Sequence, residues 1–249
     1  MSTPTSHDPT PERSQEIAEN IEGVTTRINH ALSSLGGNAQ NARLVAVSKV
    51  KPISDIVAAY KAGHRHFGEN YVQELTEKAN ELPKDIQWHF IGSLQSNKCK
   101  VVAAIPNLFV VETVDSAKKA TTLDKACANS GRKEPLRIFL QVNTSGEDTK
   151  SGMTPAEIVG VARDVVEKCP NLKLAGLMTI GSPNPDLDNG DNPDFKLLNE
   201  CRKQVMDTLK LDHLELSMGM SDDFQQAIRQ GSTNVRVGST IFGSRPRKA

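Results

Sequence analysis

The stretch Leu44-Val45-Ala46-Val47-Ser48-Lys49-Val50-Lys51-Pro52 decides between the two α/β folds that this chain could adopt. Its first five residues have the apolar, β-branched character of a buried strand, and Pro52 ends the run. A doubly wound nucleotide-binding sheet would carry a glycine-rich turn after its first strand, and this sequence lacks one. We therefore expect a barrel, with Lys49 at the carboxyl end of its first strand.

Similar short apolar runs recur along the whole chain. We predict eight strands, at Leu44–Ser48, Arg65–Gly68, Gln87–Ile91, Leu108–Glu112, Leu136–Asn143, Leu172–Ile180, His213–Ser217 and Asn234–Gly238. Helical spacing between them predicts helices that include Ile53–Ala62, Tyr71–Asn80, Ala117–Asn129, Pro155–Lys168 and Phe195–Leu209. We assign their N-caps and that of a later helix to Ser54, Asn70, Asp115, Thr154 and Asp222. Eight β/α units predict a single (β/α)8 TIM barrel.

The barrel is expected to occupy residues 15–249, beginning with an extra amphipathic helix over Ser14–Leu35. Residues 1–14 are rich in Ser, Thr and Pro, which predicts a disordered tail. Ser182–Pro193 reads as an exposed loop. With 30 basic and 30 acidic residues, the chain has no net charge to attract nucleic acid or an anionic membrane. Its apolar runs are far shorter than the roughly 20 residues that span a bilayer.

The four cysteines are widely spaced and form no CxxC pair, being Cys99, Cys127, Cys169 and Cys201. This spacing disfavours a zinc site or a disulfide framework and favours reduced, individually packed thiols. The first residues also lack the apolar core of a secretory signal. We expect a cytoplasmic protein, and a mitochondrial location stays open.

Lys49 is the first candidate functional residue. Burial at the end of a strand lowers the pKa of a lysine and exposes a nucleophilic amine, which is the chemistry of Schiff-base lysines. Side chains alternate along a strand, so Lys49 shares a face with Val47 and Val45 and would point into the barrel mouth. The alternative is a solvated surface lysine beside Lys51.

The ends of the last two strands predict a phosphate site. Small and hydroxyl-bearing residues occur there, at Ser217, Ser221, Gly238 and Ser239, and we call these four residues the phosphate cup. Such residues let backbone N–H groups reach phosphate oxygens, and the amino end of a following helix favours an anion. In TIM barrels these two loops are the recurrent phosphate site. The alternative is that Ser221 caps a helix and Gly238 makes a turn.

Three further polar residues fall near predicted strand ends. Arg236 shares strand parity with Gly238 and would point inward, where it needs an acceptor or an anion; an ion pair with Glu69 or Glu215 is the alternative. Asn70 is either a helix cap or a ligand contact. The sequence around His89 favours a hydrogen-bonded core histidine over a ligand contact.

A lysine amine opposite a phosphate cup predicts one ligand with an aldehyde at one end and a phosphate at the other. Pyridoxal 5′-phosphate has this chemistry, with Lys49 as the Schiff-base residue. An arginine facing the ring nitrogen cannot give up its proton, so that nitrogen would stay unprotonated and the cofactor would be a weaker electron sink.

Several segments together closely resemble the pyridoxal phosphate homeostasis proteins over about residues 15–247. They are Ala46–Lys49, Phe67–Glu74, Trp88–Gly92, Lys150–Met153, Gly176–Met178, Leu216–Ser221 and Val235–Ser239. The resemblance implies a barrel related to the N-terminal domain of alanine racemase, with Lys49 as the Schiff-base residue and Arg236 near the ring nitrogen or the phosphate. It also implies a protein without established turnover that holds and delivers the cofactor.

Two enzyme classes stay open beside this carrier function. A pyridoxal-phosphate-dependent racemase or related lyase needs a second acid/base on the opposite ring face, which alanine racemases take from a tyrosine of a separate domain. This chain ends after the eighth unit, and Tyr60 and Tyr71 fall in predicted helical segments, which favours binding over turnover. A phosphosugar enzyme with a Schiff-base lysine is disfavoured, because such a lysine usually lies on a central strand. We expect a monomer that contacts apoenzymes transiently.

Overall fold

Eight parallel strands form a closed barrel in the computed structural model, which describes residues 7–36, 41–147, 149–185, 187 and 190–244. The strands are β1 (Arg43–Val47), β2 (His66–Glu69), β3 (Gln87–Phe90), β4 (Leu108–Val114), β5 (Leu136–Gln141), β6 (Leu172–Met178), β7 (Glu215–Ser217) and β8 (Asn234–Val237). They follow one another around the barrel in chain order, and β8 pairs with β1 to close it. The predicted (β/α)8 fold is confirmed.

Helices surround this barrel. They are α1 (Pro11–Ser33), α2 (Ile53–Lys61), α3 (Val72–Glu81), α4 (Cys99–Ala103), α5 (Ala117–Ala128), α6 (Ile158–Lys168), α7 (Pro193–Leu209), α8 (Phe224–Arg229) and α9 (Ser239–Phe242). The main hydrophobic core fills the layer between strands and helices, where Phe67 and Trp88 are fully buried. A second, small apolar cluster of Val110, Phe139, Ala175 and Met178 lies apart from it. Because side chains alternate along a strand, this second cluster fills the barrel interior.

The extra helix α1 buries one apolar stripe, formed by Ile17, Ile21, Val24, Ile28 and Ala31. It begins at Pro11, inside the segment that we predicted as a disordered tail. The reason is local: the Thr10 hydroxyl accepts the N–H of Arg13 at 3.2 Å, and proline is well tolerated in a first helical turn.

The predicted N-caps are wrong by one to three residues. The observed N-caps of α2, α3, α5, α6 and α8 are Pro52, Tyr71, Ser116, Glu157 and Asp223. At α6 the Glu157 carboxylate accepts the N–H of Thr154 at 2.9 Å and its hydroxyl at 2.7 Å, so a separate turn precedes the helix. Neighbouring polar residues compete for these positions, and spacing alone does not choose between them.

The structure also describes the cysteines, groups of metal-ligand residues and the apolar character of the helices. All four cysteines are buried and free. Among the described residues, no group of three His, Cys, Asp or Glu side chains could hold a metal ion. None of the helices in those same ranges combines the length and apolar character needed to cross a membrane.

Candidate cofactor site

A pocket of about 270 Å³ lies at the carboxyl ends of β1, β7 and β8. Its walls are formed by Val47, Lys49, Lys51, Met220, Ser221, Asp222, Arg236, Gly238, Ser239 and Gly243. Five of the predicted site residues therefore come together here: Lys49, Ser221, Arg236, Gly238 and Ser239. Larger grooves of about 470 and 420 Å³ lie along α7 and beside the amino ends of β1 and β7, away from these residues.

Lys49 follows the last residue of β1 by two positions and is half-buried. It lines the same pocket as Val47, as strand alternation predicts. The next residue, Val50, has φ 59°, in the left-handed region that β-branched residues avoid. Such a conformation costs about 1–3 kcal/mol and persists where neighbouring contacts hold it. The turn that carries Lys49 is therefore held against an unfavourable backbone conformation.

The pocket walls carry an excess of positive charge. Lys49, Lys51 and Arg236 are cationic, against the carboxylate of Asp222. The Lys51 Nζ donates to the carbonyls of Phe242 at 2.8 Å and Ser244 at 2.9 Å, so it anchors the segment after α9. This balance of charge favours an anionic ligand.

One wall presents small residues and backbone donors. The Gly238 N–H donates to Ser221 Oγ at 3.3 Å. A Cβ at Gly238 would lie 3.2 Å from the Val47 carbonyl oxygen, which leaves little room for a larger residue. The N–H groups of Ser239 and Thr240 begin α9 and so have no partner within that helix. Because α9 is a single turn, the helix-dipole contribution that we expected is small.

Ser217 does not line the pocket, contrary to its predicted place in the phosphate cup. It is fully buried, and its hydroxyl donates to Glu112 Oε2 at 2.5 Å. The Ser217 Oγ in turn accepts from Arg236 Nη1 at 2.6 Å and from Asn234 Nδ2 at 3.1 Å. These bonds occupy the hydroxyl inside the barrel, so Ser217 supports Arg236 from below the pocket wall.

Arg236 is also buried, and its partners differ from both predicted carboxylates. Its Nη2 donates to the Thr179 carbonyl at 2.9 Å. Glu215 instead pairs with Arg43 at 2.5 Å and with Arg137, and Glu69 pairs with Lys78. Burial lowers the pKa of Arg236, while the negative charge of Glu112 opposes that shift. Glu112 is thus the counter-ion of Arg236, linked to it through Ser217.

Glu112 continues this network toward two histidines. His89 Nδ1 lies 2.6 Å from Glu112 Oε1, and His89 Nε2 lies 2.9 Å from His66 Nδ1. Burial lowers the pKa of His89, and burial and the neighbouring His89 lower that of His66 to about 3. Burial raises the pKa of Glu112, but His89, the charge of Arg236 and the Ser217 hydroxyl together outweigh burial, and the net shift of this pKa is downward. Both histidines are therefore neutral, with His89 donating to an ionised Glu112.

The prediction of a hydrogen-bonded core role for His89 is confirmed, whereas Asn70 lies outside the pocket walls. The Asn70 Oδ1 is buried without a partner in the described part of the chain. Its backbone packs closely on Gly92, where a Cβ would lie 1.9 Å from the Asn70 carbonyl oxygen. Contact of Asn70 with a ligand stays a prediction.

Sequence reasoning missed Glu112, Thr179 and Asn234 as members of the site. One signal was present for Glu112, a carboxylate inside the apolar run of β4 with the same strand parity as Val110. The Thr179 contribution is a backbone carbonyl, which residue type does not reveal.

The fold and the pocket define a (β/α)8 barrel protein with a ligand site at the carboxyl ends of its strands. Comparison with known proteins identifies the family. The family model described as alanine racemase, N-terminal domain, matches residues 24–246. The human pyridoxal phosphate homeostasis protein is 51% identical over 234 residues, covering 90% of this chain and 85% of its own. The chain belongs to the family of pyridoxal phosphate homeostasis proteins.

Two kinds of solved structure resemble the chain. PipY of Synechococcus elongatus, solved with pyridoxal phosphate bound, is 31% identical with a TM-score of 0.76, covering 91% of this chain and 100% of its own. Alanine racemase of Clostridium difficile is 15% identical with a TM-score of 0.67, covering 94% of this chain and 58% of its own. At that identity the racemase shows the fold alone.

Proposed function

We propose that this chain holds pyridoxal 5′-phosphate as a Schiff base on Lys49 and releases it to enzymes that need it. The observation that carries the proposal is that Lys49 lines the same pocket as Ser221, Gly238 and Ser239. An amine and a set of phosphate donors thus face one volume of about 270 Å³. The human relative is named for pyridoxal phosphate homeostasis, and PipY binds this cofactor.

The residues fit each functional group of the cofactor. Lys49, after losing a proton, would supply the amine that holds the aldehyde carbon covalently, with release of water. Ser221, Ser239 and the backbone of Gly238 offer donors for the phosphate. Arg236 keeps its proton, so an unprotonated ring nitrogen beside it gives a poor electron sink. This favours storage of the cofactor over turnover.

A racemase is the second candidate function, because the alanine racemase barrel has the same fold. Racemisation needs an acid/base group on the ring face opposite the lysine. Tyr60 donates its hydroxyl to Asp85 at 2.8 Å, and Tyr71 is 57% exposed. Neither tyrosine is among the described residues that line the pocket. We therefore place holding and delivery first, by a cytoplasmic monomer that contacts apoenzymes transiently.

The test of the Schiff base is chemical. The purified protein is expected to be yellow with bound pyridoxal 5′-phosphate, and borohydride should add the reduced cofactor's mass to Lys49. Lys49→Met should lose the label, while the exposed control Lys168→Met should keep it. A colourless protein, or label on a different lysine, would show that Lys49 has another role.

A second experiment separates carrier from racemase. The loaded protein is incubated with L-alanine and other amino acids, followed by chiral analysis, and in parallel with an apoenzyme whose regained activity reports transfer. Transfer without D-alanine supports the carrier. Catalytic formation of D-alanine, lost in Lys49→Met, would replace it by the racemase. Light scattering in the same buffer tests the expected monomer.

A further inference from the structure

Lys78 on α3 is a buried lysine that the proposed function does not use. It is 4% exposed, yet its Nζ donates to Ser48 O at 2.9 Å, Glu69 Oε1 at 2.7 Å and Glu74 Oε2 at 3.2 Å. An ammonium carries three N–H donors, so all of them are used. A buried charge is tolerated only with such pairing, which makes the positions of its partners rigid.

Those partners lie on both sides of Lys49. The Ser48 carbonyl belongs to the peptide group before Lys49, and the Val50 N–H belongs to the one after it. The Glu74 carboxylate accepts this N–H at 3.1 and 3.0 Å. Because two peptide planes fix the direction of the Cα–Cβ bond between them, Lys78 and Glu74 together set the direction in which the Lys49 side chain leaves the backbone.

Glu69 completes the cluster from β2. Its Oε1 accepts the Ser48 hydroxyl at 2.7 Å as well as the Lys78 ammonium. Burial, and next the neighbouring Glu74 carboxyl, raise the pKa of Glu69 to about 8. The Lys78 ammonium thus lies between two carboxyl groups, those of Glu69 on β2 and Glu74 on α3.

We propose that Lys78, Glu69 and Glu74 are positioning residues that aim Lys49 into the pocket. The cluster holds Val50 at φ 59° and so maintains the turn that directs the amine toward a bound aldehyde. This inference rests on the proposed function of Lys49. It assigns to the three residues an effect on the bond-forming step and none on phosphate binding, since the proposed phosphate donors lie just after β7 and β8 and at the start of α9.

The experiment separates these two steps in Lys78→Met and Glu74→Gln. Pyridoxine 5′-phosphate carries an alcohol in place of the aldehyde, so its dissociation constant reports the pocket without the covalent bond. The limiting rate of attachment at saturating pyridoxal 5′-phosphate reports how well the Lys49 side chain is oriented toward the aldehyde. We expect Lys78→Met to lower that rate by about tenfold or more. Glu74→Gln should lower it less, with pyridoxine 5′-phosphate binding changed by less than about twofold in both.

Lys168→Met and Asp164→Asn are the matched controls, because they remove the same charges from an exposed pair on α6. Both should attach the cofactor at the wild-type rate. Amide hydrogen exchange of Val50 in the unloaded protein is a separate readout, and it should quicken in Glu74→Gln because the bond to the carboxylate weakens.

The outcomes distinguish this inference from the function on which it rests. If the wild type does not attach the cofactor at Lys49, the proposed function fails. If the wild type attaches it and both variants do so equally fast, the positioning role is wrong. Equal losses in attachment and in pyridoxine 5′-phosphate binding would also overturn it, as general structural damage. Should Lys78→Met not fold, Glu74→Gln decides, because Glu74 is on the rim of the cluster with 27% of its side chain exposed.

Discussion

At the scale of single residues, Arg236 is the point where the pocket meets the barrel interior. Arg236 lines the pocket, and its guanidinium donates to Ser217 and Thr179. A buried guanidinium with these bonds has one orientation, and its charge is balanced by Glu112 through the Ser217 hydroxyl. The site therefore presents a fixed positive charge whose position depends on residues that do not line the pocket.

This leads to a prediction for Arg236→Gln and Ser239→Ala. Arg236→Gln removes a charged group and leaves Glu112 without its counter-ion, so retention of pyridoxal 5′-phosphate should fall by about tenfold or more. Ser239→Ala removes one exposed hydroxyl while its backbone N–H remains, and a loss of about threefold is expected. Equilibrium dialysis measures both, with circular dichroism to verify folding. Exposed Arg163→Gln is the control, and unchanged retention in the two site variants would place the phosphate elsewhere.

The same residues show which parts of a site can be predicted from sequence. Lys49, Ser221, Arg236, Gly238 and Ser239 were predicted to lie together because they are at or just after strand ends that must meet at one face of a barrel, and they line one pocket. Ser217 was predicted with them because its type and position fit a phosphate cup equally well, but it does not line the pocket. Its actual partners come from β4 and β8, and contacts between distant segments have no signal in local spacing.

At the scale of elements, α1 supports α9, whose first residue lines the pocket. Arg13 donates to Asp55 of α2 at 2.6 and 3.1 Å and to the Phe242 carbonyl of α9 at 2.9 Å. Asn20 donates to the Ile241 carbonyl at 3.0 Å. The extra helix thus ties the first and the last helices of the barrel together.

Arg13→Met is therefore expected to destabilise the protein by about 1.5–3 kcal/mol, because Asp55 is 5% exposed and would lose its charged partner. Urea unfolding measures this change. Glu16→Gln removes the exposed partner of the same arginine and should cost less than about 1 kcal/mol. If the two variants were equally stable, the link between α1 and α2 would contribute nothing measurable.

Element existence was predictable, while element ends were not. All eight strands were found because apolar runs bounded by turn residues are a strong signal. The observed helix ends differ from the predicted ones where a capping side chain sets the first residue. For example, α7 begins at Pro193 because Asn192 Oδ1 accepts the N–H of Asp194 at 2.9 Å. That asparagine is buried, although we expected an exposed loop there.

At the scale of the whole molecule, the barrel interior is divided between apolar and polar contents. Val110, Phe139, Ala175 and Met178 fill one part of it. The chain of hydrogen bonds from His66 through Glu112 to Arg236 fills another. Because such a network must stay neutral in its histidines to remain satisfied, the stability of the barrel is tied to pH.

A further histidine, His64, gives a sharp test of pH-dependent stability, because burial lowers its pKa from 6.5 to about 4. Its Nε2–H donates to the His66 carbonyl at 2.7 Å, and its ring packs edge-on against Phe67. A folded-state pKa below the unfolded one means that the unfolded chain binds the proton first as the pH falls. The stabilising contribution of neutral His64 is therefore present above about pH 6.5 and is lost progressively toward pH 4.

His64→Gln keeps a donor for this carbonyl and does not titrate, so it isolates the contribution. Between pH 6.5 and 4 the free energy of unfolding of the wild type should fall more steeply than that of the variant, by up to about 1.4 kcal/mol per pH unit. The raised pKa of Glu69, about 8, has the opposite effect on stability as the pH falls. Because Glu69 is present in both proteins, its effect cancels when their free energies of unfolding are compared. Urea unfolding across this range measures the two slopes, and His213→Gln provides the same substitution at an exposed histidine. Parallel curves for wild type and His64→Gln would mean that His64 takes up its proton equally readily in the folded barrel and the unfolded chain.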